Sequence, residues 1–282
     1  MGKGRVTIPT DENYVEGTKK IAALWGADAV RDCDGTHLPK NAKELAEKVY
    51  NTYFVVRGDN AWAEKHMDEL QNVLLMSERK TAVQNVLKID LLNGYFKQQL
   101  KVNPENPHKY WQVFDRTSGD EVFSWEYDGE GGVIITDAKP FHEYTVTFLA
   151  RVTWHPVQIY NYLTNEWTCE KQLTYDPAFP NTKKYIKEQM KKWCEENPET
   201  SVVRFTTFLY QFTLIFNNLG KERQVEWFGY GQTANPVLIK DFEAESGIRL
   251  TAEDFVDSGY YNNCFRTPTE KFKKYMDFVE RF

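Results

Sequence analysis

Two arginines stand where they could do chemistry. In the run Ser201-Val202-Val203-Arg204-Phe205-Thr206-Thr207-Phe208, strand alternation puts Arg204 on one face with Val202 and Thr206, while Val203, Phe205 and Thr207 take the other. Both faces are rich in apolar residues, which predicts a buried guanidinium. A cation so placed needs a bound anion, a carboxylate or several acceptors, because an unpaired buried charge is strongly destabilising. Arg31 poses the same question at the end of the short alternating run Ala27-Asp28-Ala29-Val30-Arg31, where Asp32-Cys33-Asp34-Gly35 makes a turn. Two arginines meeting at the C-terminal mouth of a sheet would form an oxyanion or sugar-hydroxyl site. Ion pairs with local aspartates would satisfy the same residues with no ligand at all.

Other chemistries find little support. The five histidines do not cluster at metal-ligand spacing, and HExxH, GxGxxG, P-loop and GxSxG patterns are missing. That counts against zinc proteases, dinucleotide enzymes, NTPases and serine hydrolases. His37, in Asp34-Gly35-Thr36-His37-Leu38, is the one histidine near the expected mouth of the first strand, where a loop hydrogen bond is the ordinary role. Cys33, Cys169, Cys194 and Cys264 lie far apart, so they form no CxxC pair and read as thiols of a reducing compartment. The 41 acidic residues are too many for spacing to single out a general acid.

The elements that must position the arginines follow from local pattern. Residues 11 to 25 read as a helix with Asp11 as N-cap, a stripe of Tyr14, Thr18, Ile21 and Trp25, and Gly26 as the stop. Asn41 with Glu44 resembles a capping box opening a helix over Ala42, Leu45, Ala46 and Val49. From about Tyr53 to Glu143 short β-rich runs such as Trp111-Gln112-Val113-Phe114 alternate with turns, with a helical piece near Tyr95 to Leu100. Tyr144 to Val152 is too apolar for a solvent-facing hairpin and predicts a buried strand of a parallel sheet. A helix from about Thr182 to Glu196 carries Ile186, Met190, Trp193 and Cys194 on one face, and Ser201 to Phe208 is the next buried strand. The last helix opens at Thr267-Pro268-Thr269-Glu270, with Phe272, Tyr275, Met276 and Val279 on one stripe. An amphipathic helix in this place calls for a further strand, so the sequence reads as part of a longer chain.

Strand and helix in this order give an α/β protein that closes into a barrel or opens into a doubly wound sheet. The expected parts are residues 1–52 as a first βα unit, 53–143 as a β-rich insertion, and 144–282 as second and third βα units. Composition sets the outer bounds. Aromatic residues make up 15% of the chain, with eight Trp and sixteen Tyr, as a sugar-stacking surface or a large aromatic core would require. A formal charge of −6 without a long basic run argues against a nucleic-acid partner, and none is expected. No apolar stretch reaches bilayer-spanning length, and the N-terminus lacks the apolar core of a signal peptide, so a cytoplasmic location is expected.

Leu24-Trp25-Gly26-Ala27-Asp28-Ala29-Val30-Arg31 with Asp34-Gly35-Thr36-His37-Leu38 resembles the opening of the 1,3-β-galactosyl-N-acetylhexosamine phosphorylase family. Further segments match in the same order: Pro107-His108-Lys109-Tyr110-Trp111, Trp154 with Pro156-Val157, Tyr160-Asn161, Leu163-Thr164-Asn165, Val202 to Phe208 with Tyr210-Gln211-Phe212, and Glu253-Asp254-Phe255-Val256-Asp257.

The resemblance implies the N-terminal part of a (β/α)8 TIM-type barrel, incomplete here, with a β-rich insertion. It also implies inverting phosphorolysis of β-galactosides of the galacto-N-biose and lacto-N-biose type, or of galactosyl-rhamnose in one branch. The products would be α-galactose 1-phosphate and the free acceptor sugar, with inorganic phosphate as a substrate and no cofactor or metal. By position, Arg31, Asn161 and Arg204 match residues lining the sugar and phosphate site. Pro156 and Val157 match the acceptor pocket, and Tyr230 falls in a segment where family members differ. The general-acid aspartate of the family is expected beyond Phe282, which implies an inactive fragment. A homodimer is left open for the full-length enzyme. A non-catalytic carbohydrate-binding protein that keeps Arg31 and Arg204 is the alternative.

Overall fold

The computed structural model describes residues 6–33, 37–155, 158, 162, 166, 168, 170–206, 213–216, 222–225, 234–256 and 269–281. The chain divides into two compact units, Met1–Val56 with Pro180–Phe208, and Arg57–Phe179 with Leu209–Phe282.

The first unit is built on four strands: β1 (Thr7–Pro9), β2 (Ala29–Arg31), β3 (Lys48–Phe54) and, far along the chain, β13 (Val202–Thr206). They lie side by side in that order and every pairing is parallel. Parallel neighbours need crossovers, and the helix Val15–Trp25 supplies the first. Gly26 ends this helix at a φ of 63°, a left-handed turn that costs glycine nothing, and its N–H returns to the Ala22 carbonyl. The start differs from expectation. Tyr14 occupies the cap position without a side-chain bond, and Asp11 instead turns the preceding loop by accepting from the Asn13 amide at 2.7 Å. Thr18 and Ala22 are the buried residues, whereas Tyr14, Ile21 and Trp25 are exposed, so of the expected stripe only Thr18 is buried.

The helix predicted from Asn41 to Val49 is not formed. A single 3-10 turn, Ala42–Glu44, comes first, and Val49 belongs to β3. Val30, Ala42, Leu45 and Val49 still bury together in one small core, so the helical spacing reported burial shared by two kinds of element. The helix Pro180–Glu196 leads into β13 and lies against β3 through Trp193, whose ring centroid is 5.3 Å from that of Tyr53. Asn51 secures the far end with bonds to Asn197 and Thr200, both 3.2 Å.

The second unit is antiparallel and β-rich. Its strands are β4 (Asn72–Met76), β5 (Lys80–Thr81), β6 (Leu87–Asp90), β7 (Leu100–Val102), β8 (Gln112–Asp115), β9 (Asp120–Val122), β10 (Trp125–Tyr127), β11 (Gly132–Ile135), β12 (Glu143–Val152), β14 (Thr213–Phe216) and β15 (Glu222–Val225). β12 is the run expected in a parallel sheet, but it is the centre of a six-stranded antiparallel sheet, paired with β4, β5, β7 and β8. A largely apolar sequence signals burial of both faces, and a central antiparallel strand buried from Tyr144 to Ala150 satisfies that as well as a parallel one. The segment near Tyr95 to Leu100 forms turns leading into β7 rather than a helix.

The core of this unit contains Trp111, Trp125, Phe148, Phe242, Phe255, Phe272 and Tyr275. Much of the aromatic excess is therefore core filling. The helices Pro236–Ser246, Ala252–Val256 and Glu270–Arg281 supply its later members, and the Thr269 hydroxyl caps the last by accepting from the Phe272 amide at 3.1 Å. No helix among the described residues is long and apolar enough to cross a membrane.

Candidate substrate-binding site

In the first unit β2 stops at Arg31, and the next residue, Asp32, lies beside Tyr50 and Thr52 of β3 and within reach of Arg204 in the middle of β13. The Asp32 amide donates to the Tyr50 carbonyl at 3.3 Å, which holds its peptide over β3. Its carboxylate then reaches Thr52, accepting from the amide at 3.1 Å and from the hydroxyl at 2.8 Å. Thr52 is the register partner of Arg204 in β13, so Arg204 approaches the same aspartate from the opposite side. The Arg204 Nη1 donates to the Asp32 carbonyl oxygen at 3.2 Å and lies 3.7 Å from Oδ1 of the carboxylate. Arg31 Nη1 donates to that same carbonyl at 3.1 Å.

The two arginines predicted to converge do so, on one backbone oxygen. The acceptor belongs to a local aspartate, the class of partner that the ion-pair alternative called for without singling out Asp32. Two guanidinium charges and one carboxylate leave a net charge of +1, and such a cluster favours an incoming anion. Asp32 is nearly inaccessible, its side chain 10% exposed, whereas the Arg204 side chain is 40% exposed. Burial of Arg204 is thus a failed expectation. β13 is the end strand of the described sheet, so a long side chain there keeps its head in solvent.

His37 is exposed and takes part in the loop through its carbonyl, which accepts from the Glu12 amide at 2.9 Å. Asn161, Pro156, Val157 and Tyr230, together with Asp34, lie outside the described residues. Asp32 and Thr52 went unnoticed in the sequence. The only signal for Asp32 was its place directly after Arg31, and nothing marked Thr52 before the strand register was known.

The second unit holds its own polar clusters. His155, just before the Pro156-Val157 segment, is 1% exposed, and the Arg57 Nη1 stands 3.3 Å from its Nδ1. Arginine only donates, so Nδ1 accepts and the ring proton sits on Nε2. Burial, aided by the Arg57 charge, drives the His155 pKa down to about 2 and keeps the ring neutral. Arg116 grips Glu253 through Nη1 at 3.2 Å and Nη2 at 2.7 Å, while its Nε donates to Thr145 at 2.6 Å. Thr147 and Gln112 complete that network, which fastens the helix Ala252–Val256 to β8 and β12. Among the described residues no three His, Cys, Asp or Glu side chains gather as a metal site would require.

Comparison with known proteins gives the family. The family model described as the lacto-N-biose phosphorylase N-terminal TIM barrel domain matches residues 4–282. A 1,3-beta-galactosyl-N-acetylhexosamine phosphorylase of Lachnoclostridium phytofermentans is 47% identical over 284 residues, covering 99% of this chain and 39% of its own length. One of Bifidobacterium longum subsp. longum is 45% identical, covering 99% of this chain and 38% of its own length. A D-galactosyl-beta-1->4-L-rhamnose phosphorylase of L. phytofermentans is 36% identical, with 99% and 40% covered. The chain thus spans about two fifths of the length of these relatives. A parallel β/α sheet bearing a β-rich insertion, matched over nearly all its residues by that domain, makes the chain a member of the lacto-N-biose phosphorylase family, corresponding to part of its N-terminal barrel.

Proposed function

We propose that the protein to which this chain belongs carries out inverting phosphorolysis of a β-galactosyl disaccharide of the galacto-N-biose or lacto-N-biose type. The observation that carries this reading is the meeting of Arg31 and Arg204 on the Asp32 carbonyl just past the C-terminal end of β2, the end of a parallel strand on which barrel enzymes bind their substrates. In the reaction a phosphate oxygen attacks the anomeric carbon from the face opposite the leaving sugar. The glycosidic C–O bond breaks, and a carboxylic acid gives its proton to the departing oxygen. The products are α-galactose 1-phosphate and the free acceptor sugar. Phosphate is already an anion, so no base is needed to activate it. Arg31 and Arg204 hold phosphate and sugar hydroxyls in line and offset the charge brought to the anomeric centre.

Asn161 extends that role, Pro156 and Val157 border the acceptor, and Tyr230 bears on acceptor choice. The family resemblance assigns the acid to an aspartate beyond Phe282, so residues 1–282 alone hold substrate without turning it over. The reaction calls for no cofactor, and its soluble substrates fit a cytoplasmic enzyme. The test is to incubate the longer protein with galacto-N-biose in the presence and absence of phosphate. Phosphate-dependent appearance of galactose 1-phosphate is the expected result. Release of free galactose in phosphate-free buffer would make it a hydrolase, and no release with retained disaccharide binding would make it a carbohydrate-binding protein.

A further inference from the structure

Nothing in the proposed chemistry requires Thr52, yet its side chain is buried beside the arginines and commits its hydroxyl to Asp32 Oδ1 at 2.8 Å. That oxygen is the one 3.7 Å from Arg204, and the other carboxylate oxygen is taken by the Thr52 amide. One aspartate therefore joins three neighbouring strands. It follows β2, is gripped by β3, and presents its carbonyl to the guanidinium of β13 as well as to that of Arg31. Two like charges held at one oxygen repel each other, and they stay together only if that oxygen cannot move. The Thr52 bonds fix the Asp32 side chain, and the Tyr50 carbonyl fixes its amide, so the shared acceptor is held on both sides.

We propose that Asp32 and Thr52 are positioning residues, which set the separation and direction of the Arg31 and Arg204 guanidinium groups toward the phosphate of the reaction; this rests on the function proposed above. The pair touches no substrate. It acts by holding the forks where a phosphate can accept from both at once, in the way that supporting hydrogen bonds orient groups in direct contact with a ligand.

The test uses the longer protein with Thr52→Val and Thr52→Ser. Valine keeps the β-branched shape and the backbone amide bond but loses the hydroxyl, and serine keeps the hydroxyl. Thr52→Val is expected to raise the phosphate KM about tenfold with kcat within about twofold, the loss of one bond to a charged acceptor. Thr52→Ser should return the phosphate KM to within about twofold of the parent. A phosphate KM unchanged in Thr52→Val overturns the proposal, as does equal impairment of both variants with matching losses of Tm. Arg31→Lys and Arg204→Lys, measured alongside, separate the two levels. If they raise the phosphate KM and Thr52→Val does not, the positioning role alone fails. If none of the three does, the phosphate-binding reading fails and the positioning role falls with it.

Discussion

Replacing Arg204 by lysine keeps the charge and removes the planar fork, so it separates what the cation does from what its shape does. The structure sets the scale of both effects. Arg204 makes one 3.2 Å bond to a carbonyl and a loose 3.7 Å approach to the Asp32 carboxylate, with its side chain 40% exposed. An interaction so open to solvent is worth at most about 1 kcal/mol to folding, which for a domain of this size moves Tm by about 2–4 °C. In the reaction the same group is asked for a charge-assisted bond to phosphate or a sugar hydroxyl. Losing one such bond, at about 1.5–3 kcal/mol, slows the reaction by about 10- to 150-fold. Kinetics should therefore suffer far more than stability. The assay is galactose 1-phosphate formation by the longer protein, with phosphate and disaccharide varied in turn, beside a thermal melt. Wild-type kinetics would remove Arg204 from the site. A collapse of Tm with normal rates in the folded fraction would make it structural and refute the reasoning from exposure.

Purified residues 1–282 should form no galactose 1-phosphate from galacto-N-biose and phosphate, and detectable product in a coupled assay would show that a sufficient acid lies within them. Glu253→Ala strands the Arg116 guanidinium, both partners being about 10% exposed, and should cost about 3–5 kcal/mol in urea unfolding; a change below about 1 kcal/mol would mark the network as dispensable. Acid should weaken the second unit. The His155 pKa falls from 6.5 to about 2 on folding, so below about pH 6.5 the unfolded chain takes up a proton that the native state refuses, and stability drops by up to about 1.4 kcal/mol per pH unit as pH falls. His155→Gln should flatten that slope between pH 6.5 and 4.5 in a pH series of melts, and an unchanged slope would show that the ring protonates in place. Asp128 adds a loss at lower pH: the Lys88 ammonium 2.8 Å away and the Glu130 and Gly132 amides hold its pKa at about 2, so its contribution, roughly 1 kcal/mol after solvent screening, is present above pH 4 and disappears as pH falls through 2.

Periodicity made the helices Pro180–Glu196 and Glu270–Arg281 legible, and glycine chemistry located the end of Val15–Trp25 at Gly26. The turn from Asp115 to Asp120 between β8 and β9 is likewise local chemistry, because its polar and glycine residues leave few other choices. Direction and partnership were another matter. The apolar run of β12 announced burial on both faces but not that its neighbours run antiparallel, since pairing is decided by residues distant in sequence. Ala42, Leu45 and Val49 kept helical spacing while serving a 3-10 turn and a strand, because burial alone does not specify the backbone that delivers it. The site shows the same division. Two strand arginines could be read as a pair, but the Asp32–Thr52 grip depends on the register of β2 and β3, and the approach of Arg204 on that of β3 and β13, which no local pattern encodes.

That register also has a price in time. β3 pairs with β13 across a wide stretch of chain, the Val49 amide bonding to a Ser201 hydroxyl 152 residues later. On a ribosome adding ~5–20 residues per second, β3 emerges roughly 8–30 s before its partner strand exists. Through that interval Lys48–Phe54 is a bare strand edge, able to recruit the same segment of a neighbouring nascent chain. Any sheet that compacts early within the intervening residues shortens the span that β13 must search to find it, although the helices that complete their core follow β13 in the chain. Slower translation through residues 57–179 would give that compaction more time, so the yield of native protein should respond to codon choice there before it responds to codon choice in β13 itself.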